Sequence, residues 1–139
     1  MNDALKFLVP GKPEYVGTVR IAVSHVAANV GFDIDAIDDI KVAVSEACTN
    51  IILHSHTDHS EFSYEVDIER EEKAITITVV DRGIGFETGK YVAPAPGEAR
   101  GSGMGIFILR ALMDEVDIQS EVGVGTNIRM KKYLQNRIA

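Results

Sequence analysis

Hydrophobic and polar positions change their period several times along the chain, and each change predicts an element. Leu5, Phe7 and Val9 recur at every second position, a short strand ended by Pro10-Gly11. From Pro13 to Val30 the period becomes helical, with Pro13 suited to a first turn and Gly31 to the stop. Asp33 or Asp35 is placed to cap a second helix that runs to about His54. Within it Ile37, Ile40, Val44, Ala47 and Ile51 recur at spacings of three and four and share one apolar face. Glu46, Asn50 and His54 are four apart and stack on the adjacent face. A polar stretch from His54 to Ser60 reads as loop. Phe62, Tyr64, Val66 and Ile68 then alternate, as do Ile75, Ile77 and Val79, with the charged turn Arg70-Glu71-Glu72-Lys73 between them. Residues 61–80 are therefore expected to form a hairpin, whose second strand runs into Asp81-Arg82-Gly83-Ile84-Gly85-Phe86.

Glu87 to Arg100 is rich in Gly, Pro and Ala, has no apolar period and reads as a loop able to move. Gly101-Ser102-Gly103-Met104-Gly105 follows and opens a helix through about Met113, with Ile106, Leu109 and Met113 on its apolar side. Val116 and Ile118 mark a strand, Gly123-Val124-Gly125 a turn, and Ile128 and Met130 a last strand. Two long helices, a shorter third and four or five mostly antiparallel strands predict an α/β (α+β) two-layer sandwich. Its sheet is expected to be covered by helices on one face.

Composition narrows the function classes. The chain has 139 residues, 45% hydrophobic and 25% charged, which fits one globular domain with a real core. A net charge of -7 argues against general nucleic-acid affinity. The single cysteine, Cys48, excludes a disulfide framework, fits a reducing compartment and reads as a buried helical residue rather than a nucleophile. No signal pattern opens the chain, and no apolar run approaches the ~18 residues that span a bilayer. A cytoplasmic protein without membrane contact is expected. The histidines of the 54–60 stretch, with Asp58, match no standard zinc spacing, and no cysteine pair accompanies them.

The candidate chemistry lies in two glycine boxes and the polar face of the second helix. The segment from Gly101 to Gly105 leads into a helix, whose free N–H groups and partial positive charge suit phosphate. A dinucleotide fold is excluded because the box follows a loop and no βαβ unit surrounds it; a Walker A loop is excluded because no Gly-Lys-Ser/Thr is present. Asp81, at a strand end beside Gly83 and Gly85, can accept a hydrogen bond from an exocyclic amine such as adenine N6, or can bond its own turn backbone. Asn50 offers an uncharged oxygen suited to Mg²⁺ on a polyphosphate. Glu46, one turn earlier, can accept a proton from an attacking hydroxyl or water. The order matters more than any one box: Glu-x-x-x-Asn on a helix, Asp-x-Gly-x-Gly at a strand end, a loop, then Gly-x-Gly-x-Gly opening a helix.

With those three boxes in that order, the chain resembles the ATPase fold (the Bergerat fold) shared by gyrase B subunits, MutL and sensor histidine kinases. The strings Val44-Ser45-Glu46-Ala47-Cys48-Thr49-Asn50, Asp81 to Phe86, Gly101 to Ile106 and Leu112-Met113-Asp114-Glu115-Val116 narrow the likeness. Together they look like the small bacterial anti-sigma-factor serine kinases of the RsbW and SpoIIAB kind, over about Leu5 to Tyr133, and Val9 to Val16 leans toward the first. The resemblance implies that Asn50 coordinates Mg²⁺ and that Glu46 is general base for a serine hydroxyl on a partner protein. It implies that Asp81 binds adenine, helped by Gly85 and by Thr126 through water, with Gly83 in the same box. Gly103, Met104 and Gly105 would hold the phosphates of ATP from the backbone, within the box that Gly101 and Ser102 begin. His54 would serve phosphate or packing, Arg100 would stand near the γ-phosphate, and Arg20 would contact partners. Two departures are Ile51 in place of an alanine, and Ser55-His56 where an aromatic residue is usual.

The function so implied is that of an anti-sigma factor. It would bind a sigma factor and use Mg-ATP to phosphorylate a serine of an anti-anti-sigma (STAS-domain) antagonist, as a homodimer, with residues 87–100 as the switch. Three other readings compete. A stressosome-type kinase would act on a STAS scaffold, and a nucleotide-holding sequestration module would bind partners without turnover. The catalytic half of a sensor histidine kinase would need a separate phosphorylated helical domain, for which the chain leaves no space.

Overall fold

The computed structural model describes residues 2–54, 62–81, 102–121 and 125–135. Its elements run β1 (Asp3–Pro10), α1 (Val16–Val30), α2 (Ile34–His54), β2 (Ser63–Arg70), β3 (Ala74–Asp81), α3 (Ser102–Leu112), β4 (Glu115–Glu121) and β5 (Gly125–Tyr133). A 3₁₀ turn over Pro13–Tyr15 precedes α1, so the helical pattern that begins at Pro13 tightens in its first turn. The expected boundaries otherwise hold to within one or two residues, α3 ending at Leu112 rather than Met113. The polar loop after His54, the segment from Glu87 to Arg100 and the Gly123-Val124 turn lie outside the described residues.

The join between the two long helices follows from local chemistry. Gly31 takes φ 115°, and its N–H donates to the Ala27 and Ala28 carbonyls, a left-handed stop that a residue with a Cβ adopts at a cost. Of the two candidate caps it is Asp33 that acts: its Oδ1 accepts the Ala36 N–H at 2.9 Å. The chain thus reverses within three residues, and α1 packs beside α2.

All strands pair antiparallel in the order β1-β2-β3-β5-β4. The register puts Val9, Tyr64, Val66, Ile68, Ile75, Ile77, Val79, Ile128 and Met130 on one face, all buried. Against it lie Ile40, Val44, Ala47 and Ile51 of α2, Val19, Val23 and Val26 of α1, and Leu109 of α3. Ile37, at the start of the same stripe, is half-buried. Each fully buried Val, Leu or Ile contributes roughly 1.5–3 kcal/mol, so this single layer of contact is the main source of stability. The other face of the sheet carries Lys6, Glu65, Asp67, Glu69 and Arg129. The expected two-layer α+β sandwich, with helices on one face of an antiparallel sheet, is the fold observed.

Helix direction follows from end contacts. The first turn of α2 lines a cavity with Lys132, Tyr133 and Leu134, and Tyr133 pairs with Ala74 at the start of β3. With 21 residues in α2 and 8 in β3, the two elements span roughly 31 and 26 Å. α2 therefore runs along β3 and carries its last turns toward Asp81. α3 runs the opposite way: its end is tied down by Lys132 Nζ, which donates to the Leu112 carbonyl at 2.7 Å.

Candidate active site

α2 carries Glu46, Asn50 and His54 at one-turn intervals. Asn50 is 5% exposed, whereas Glu46 and His54 are half-buried. The helix sits between α1 and α3, so the polar face expected from the spacing is an internal seam rather than a solvated edge. Burial lowers the pKa of His54 from its ordinary 6.5, which keeps the ring neutral at pH 7.

The first turn of α3 meets this seam. A Cβ built on Gly105 would stand 3.2 Å from Glu46 Oε2, so the carboxylate lies against the start of the helix. Ser102, Gly103 and Met104 form that first turn, where N–H groups have no intrahelical partner. Gly83, Gly85, Arg100 and Gly101 lie outside the described residues. Arg20 is half-buried on α1, and its Nε has no hydrogen-bond partner among the described residues.

Asp81 and Thr126 are brought together by the sheet. They are register partners on β3 and β5, 4% and 2% exposed. Asp81 Oδ2 is buried without a hydrogen-bond partner among the described residues. A buried carboxylate oxygen in that state costs folding free energy, which a donor from a ligand would recover. One residue not foreseen from the sequence joins them. Ser120 on β4 is the register partner of Thr126, and the two hydroxyls are 2.8 Å apart. The row Asp81–Thr126–Ser120 crosses three adjacent strands on the core face. The signal was present in β4, where Val116 and Ile118 point inward and Ser120 is next in that period.

Cys48 is buried, as expected, beside Tyr64. Burial pushes its thiol up to about 12, with the Tyr64 hydroxyl acting in the opposite direction. A thiol so placed is no nucleophile. No group of three or more potential metal ligands occurs among the described residues. A cavity of about 530 Å³ at the other end of α2, lined by Phe32, Asp33, Asp39 and Lys132, is remote from all of these residues.

Comparison with known proteins bears on family and fold. Residues 9–132 match the family described as the histidine kinase-like ATPase domain. A serine-protein kinase RsbW of Oceanobacillus iheyensis is 41% identical over 140 aligned residues, covering 95% of this chain and 87% of that protein. The RsbW serine-protein kinases of Bacillus subtilis and Listeria innocua are 34% and 33% identical, covering 95% and 99% of this chain and 86% and 91% of theirs. In structure, the histidine kinase domain of the Erythrobacter litoralis EL346 blue-light activated histidine kinase matches with a TM-score of 0.58 at 18% identity, over 88% of this chain and 60% of that one. That likeness shows the fold. No described helix is long and apolar enough to cross a membrane. By sequence and by fold, then, the chain belongs to the histidine kinase-like ATPase family and, within it, to the RsbW family of serine-protein kinases.

Proposed function

We propose that this protein is a Mg-ATP-dependent serine kinase that also sequesters a sigma factor. Its substrate would be a serine on an anti-anti-sigma antagonist of the STAS type. The observation that supports the kinase reading is the meeting of Glu46 with the first turn of α3 at Gly105, a helix end whose free N–H groups suit phosphate. The acceptor hydroxyl would give its proton to Glu46 as its oxygen bonds to the γ-phosphorus of ATP and ADP leaves. Bound Mg²⁺ would spread the charge of the polyphosphate, and the buried Asn50 carboxamide is a hard oxygen donor of the kind Mg²⁺ accepts. Backbone N–H groups of Gly103, Met104 and Gly105 would orient the phosphates. The Oδ2 of Asp81, without a donor among the described residues, would fit the adenine amine, with Thr126 beside it. His54, Gly83, Gly85, Arg100, Gly101 and Ser102 would complete the nucleotide site. A homodimer, a partner contact through Arg20 and a cytoplasmic location belong to the same reading. The sigma-binding half rests on relationship to the RsbW family.

The test is retention of partners from native extract on the immobilised chain, once with Mg-ATP and once with Mg-ADP. A sigma factor held with ATP, and a small protein held with ADP and phosphorylated on serine with ATP, are the expected results. Glu46→Ala should hold nucleotide within about twofold of wild type and lose transfer by at least about 100-fold. Undiminished transfer by that variant removes Glu46 as base. Partners indifferent to nucleotide and free of new phosphate favour a sequestration module instead.

A further inference from the structure

Gly105 is the fourth residue of α3 and is buried. Among the described glycines the positive φ values belong to Gly31 and Gly125, so the backbone at Gly105 is open to any residue. Glycine is the weakest helix former after proline, and conformational freedom gives no reason for one at this position. What it supplies is the absence of a Cβ. A Cβ at Gly105 would stand 3.2 Å from Glu46 Oε2, inside ordinary van der Waals separation, and among the described residues outside its own helix backbone and chain neighbours no other heavy atom is as near. The carboxylate oxygen therefore rests against the helix surface, 3.2 Å from where a β-carbon would be.

We propose that Gly105 is a positioning residue for Glu46. By leaving that space empty it sets how closely the carboxylate approaches the first turn of α3. The free N–H groups and partial positive charge of this turn favour an anionic group there. Two carriers of negative charge, the base and the phosphates, would then be referenced to one rigid turn, which holds their separation constant. A methyl at Gly105 leaves the backbone N–H in place and displaces only the carboxylate, by a few tenths of an ångström. The assignment builds on Glu46 as general base, and its test separates the two.

Gly105→Ala is made in the full chain, in the wild-type and in the Glu46→Ala background. Each protein is measured for thermal unfolding, for ADP affinity with Mg²⁺, and for phosphate transfer to the antagonist retained with Mg-ADP. Without the Glu46 carboxylate, alanine should raise the melting temperature by about 2–5 °C through helix propensity. With the carboxylate present, the rise should shrink or reverse. Transfer per bound nucleotide by Gly105→Ala should fall about tenfold or more, beyond any change in ADP affinity. Equal melting shifts in both backgrounds overturn the proposal, because Glu46 and position 105 would then not bear on each other. A loss of ADP affinity with unchanged transfer per bound nucleotide also overturns it and assigns the glycine to phosphate alone. Normal transfer by Glu46→Ala removes the base itself, and with it the purpose given to Gly105, even where the melting shifts remain coupled.

Discussion

Asp81 offers the sharpest test of nucleotide recognition, because its variants should change the choice of base as well as affinity. Its Oδ2 is buried with no protein donor among the described residues, at the end of the sheet where Thr126 and Ser120 continue the polar row. A hydrogen bond to a charged acceptor contributes about 1.5–3 kcal/mol, and one between neutral groups about 0.5–1.5 kcal/mol. Asp81→Asn keeps an acceptor oxygen and loses the charge, so Mg-ADP should bind about 5–15-fold more weakly. Asp81→Ala removes the acceptor, and the loss should reach about 10–150-fold. Inosine diphosphate carries a carbonyl oxygen where adenine has its amine, so the wild-type carboxylate would face an acceptor with an acceptor. The asparagine amide can turn its NH₂ toward that oxygen. Asp81→Asn should therefore compress the preference for ADP over IDP by about 10–150-fold, the product of its loss of ADP affinity and the gain of a neutral hydrogen bond to IDP. Calorimetric titration of both diphosphates reads these numbers, and thermal unfolding without nucleotide checks the fold. ADP affinity within twofold of wild type, together with an unchanged ADP-to-IDP ratio, would refute the assignment of Asp81 to the adenine amine.

Two further outcomes follow from groups away from the nucleotide. Glu71 accepts from Thr76 Oγ1 at 2.7 Å and from Lys131 Nζ at 3.0 Å, and chiefly the Thr76 bond holds its carboxyl below the ordinary 4.5. A depressed carboxyl contributes stability that is complete above its unfolded value and is lost as pH falls through the folded one, so Glu71→Gln should flatten the acid limb of urea-unfolding free energy below pH 4.5. An acid limb identical to wild type would show that the pair contributes nothing. Cys48, with its thiol pushed up to about 12 and no exposure, should react with a disulfide reagent at pH 8 at least about 100-fold more slowly in the native than in the urea-unfolded chain. Comparable rates would mean that the core around Tyr64 opens without global unfolding.

How much of this was legible in the sequence depends on the range of the interaction. Periods of two and 3.6 located every strand and helix among the described residues, because burial of one face is written locally. Local chemistry also foresaw the Gly31 stop, but it left Asp33 and Asp35 equivalent, since only the turn of the chain decides which side chain reaches the Ala36 N–H. The proposed roles of Glu46, Asn50 and Asp81 came from residue type and the order of boxes. The approach of Glu46 to Gly105 required α2 and α3 to pack antiparallel, which no spacing within either helix reveals. Ser120 required a register between two strands.

One signal in the sequence nevertheless pointed to that end of the sheet. On β3 the inward series Ile75, Ile77, Val79 ends in Asp81; on β4 the series Val116, Ile118 ends in Ser120; on β5 the series Met130, Ile128 ends in Thr126. Three strands break their apolar period in the same cross-strand row, on the face that elsewhere builds the core. For folding alone, an apolar residue at position 81 would leave no buried carboxylate oxygen without a donor among the described residues, a state that costs about 1–3 kcal/mol. A single such break is ordinary turn chemistry, which is how Asp81 could be read in isolation. Three in register, with Asp81 Oδ2 lacking a donor among the described residues, are better explained by a ligand that fills the row than by the strands that carry it.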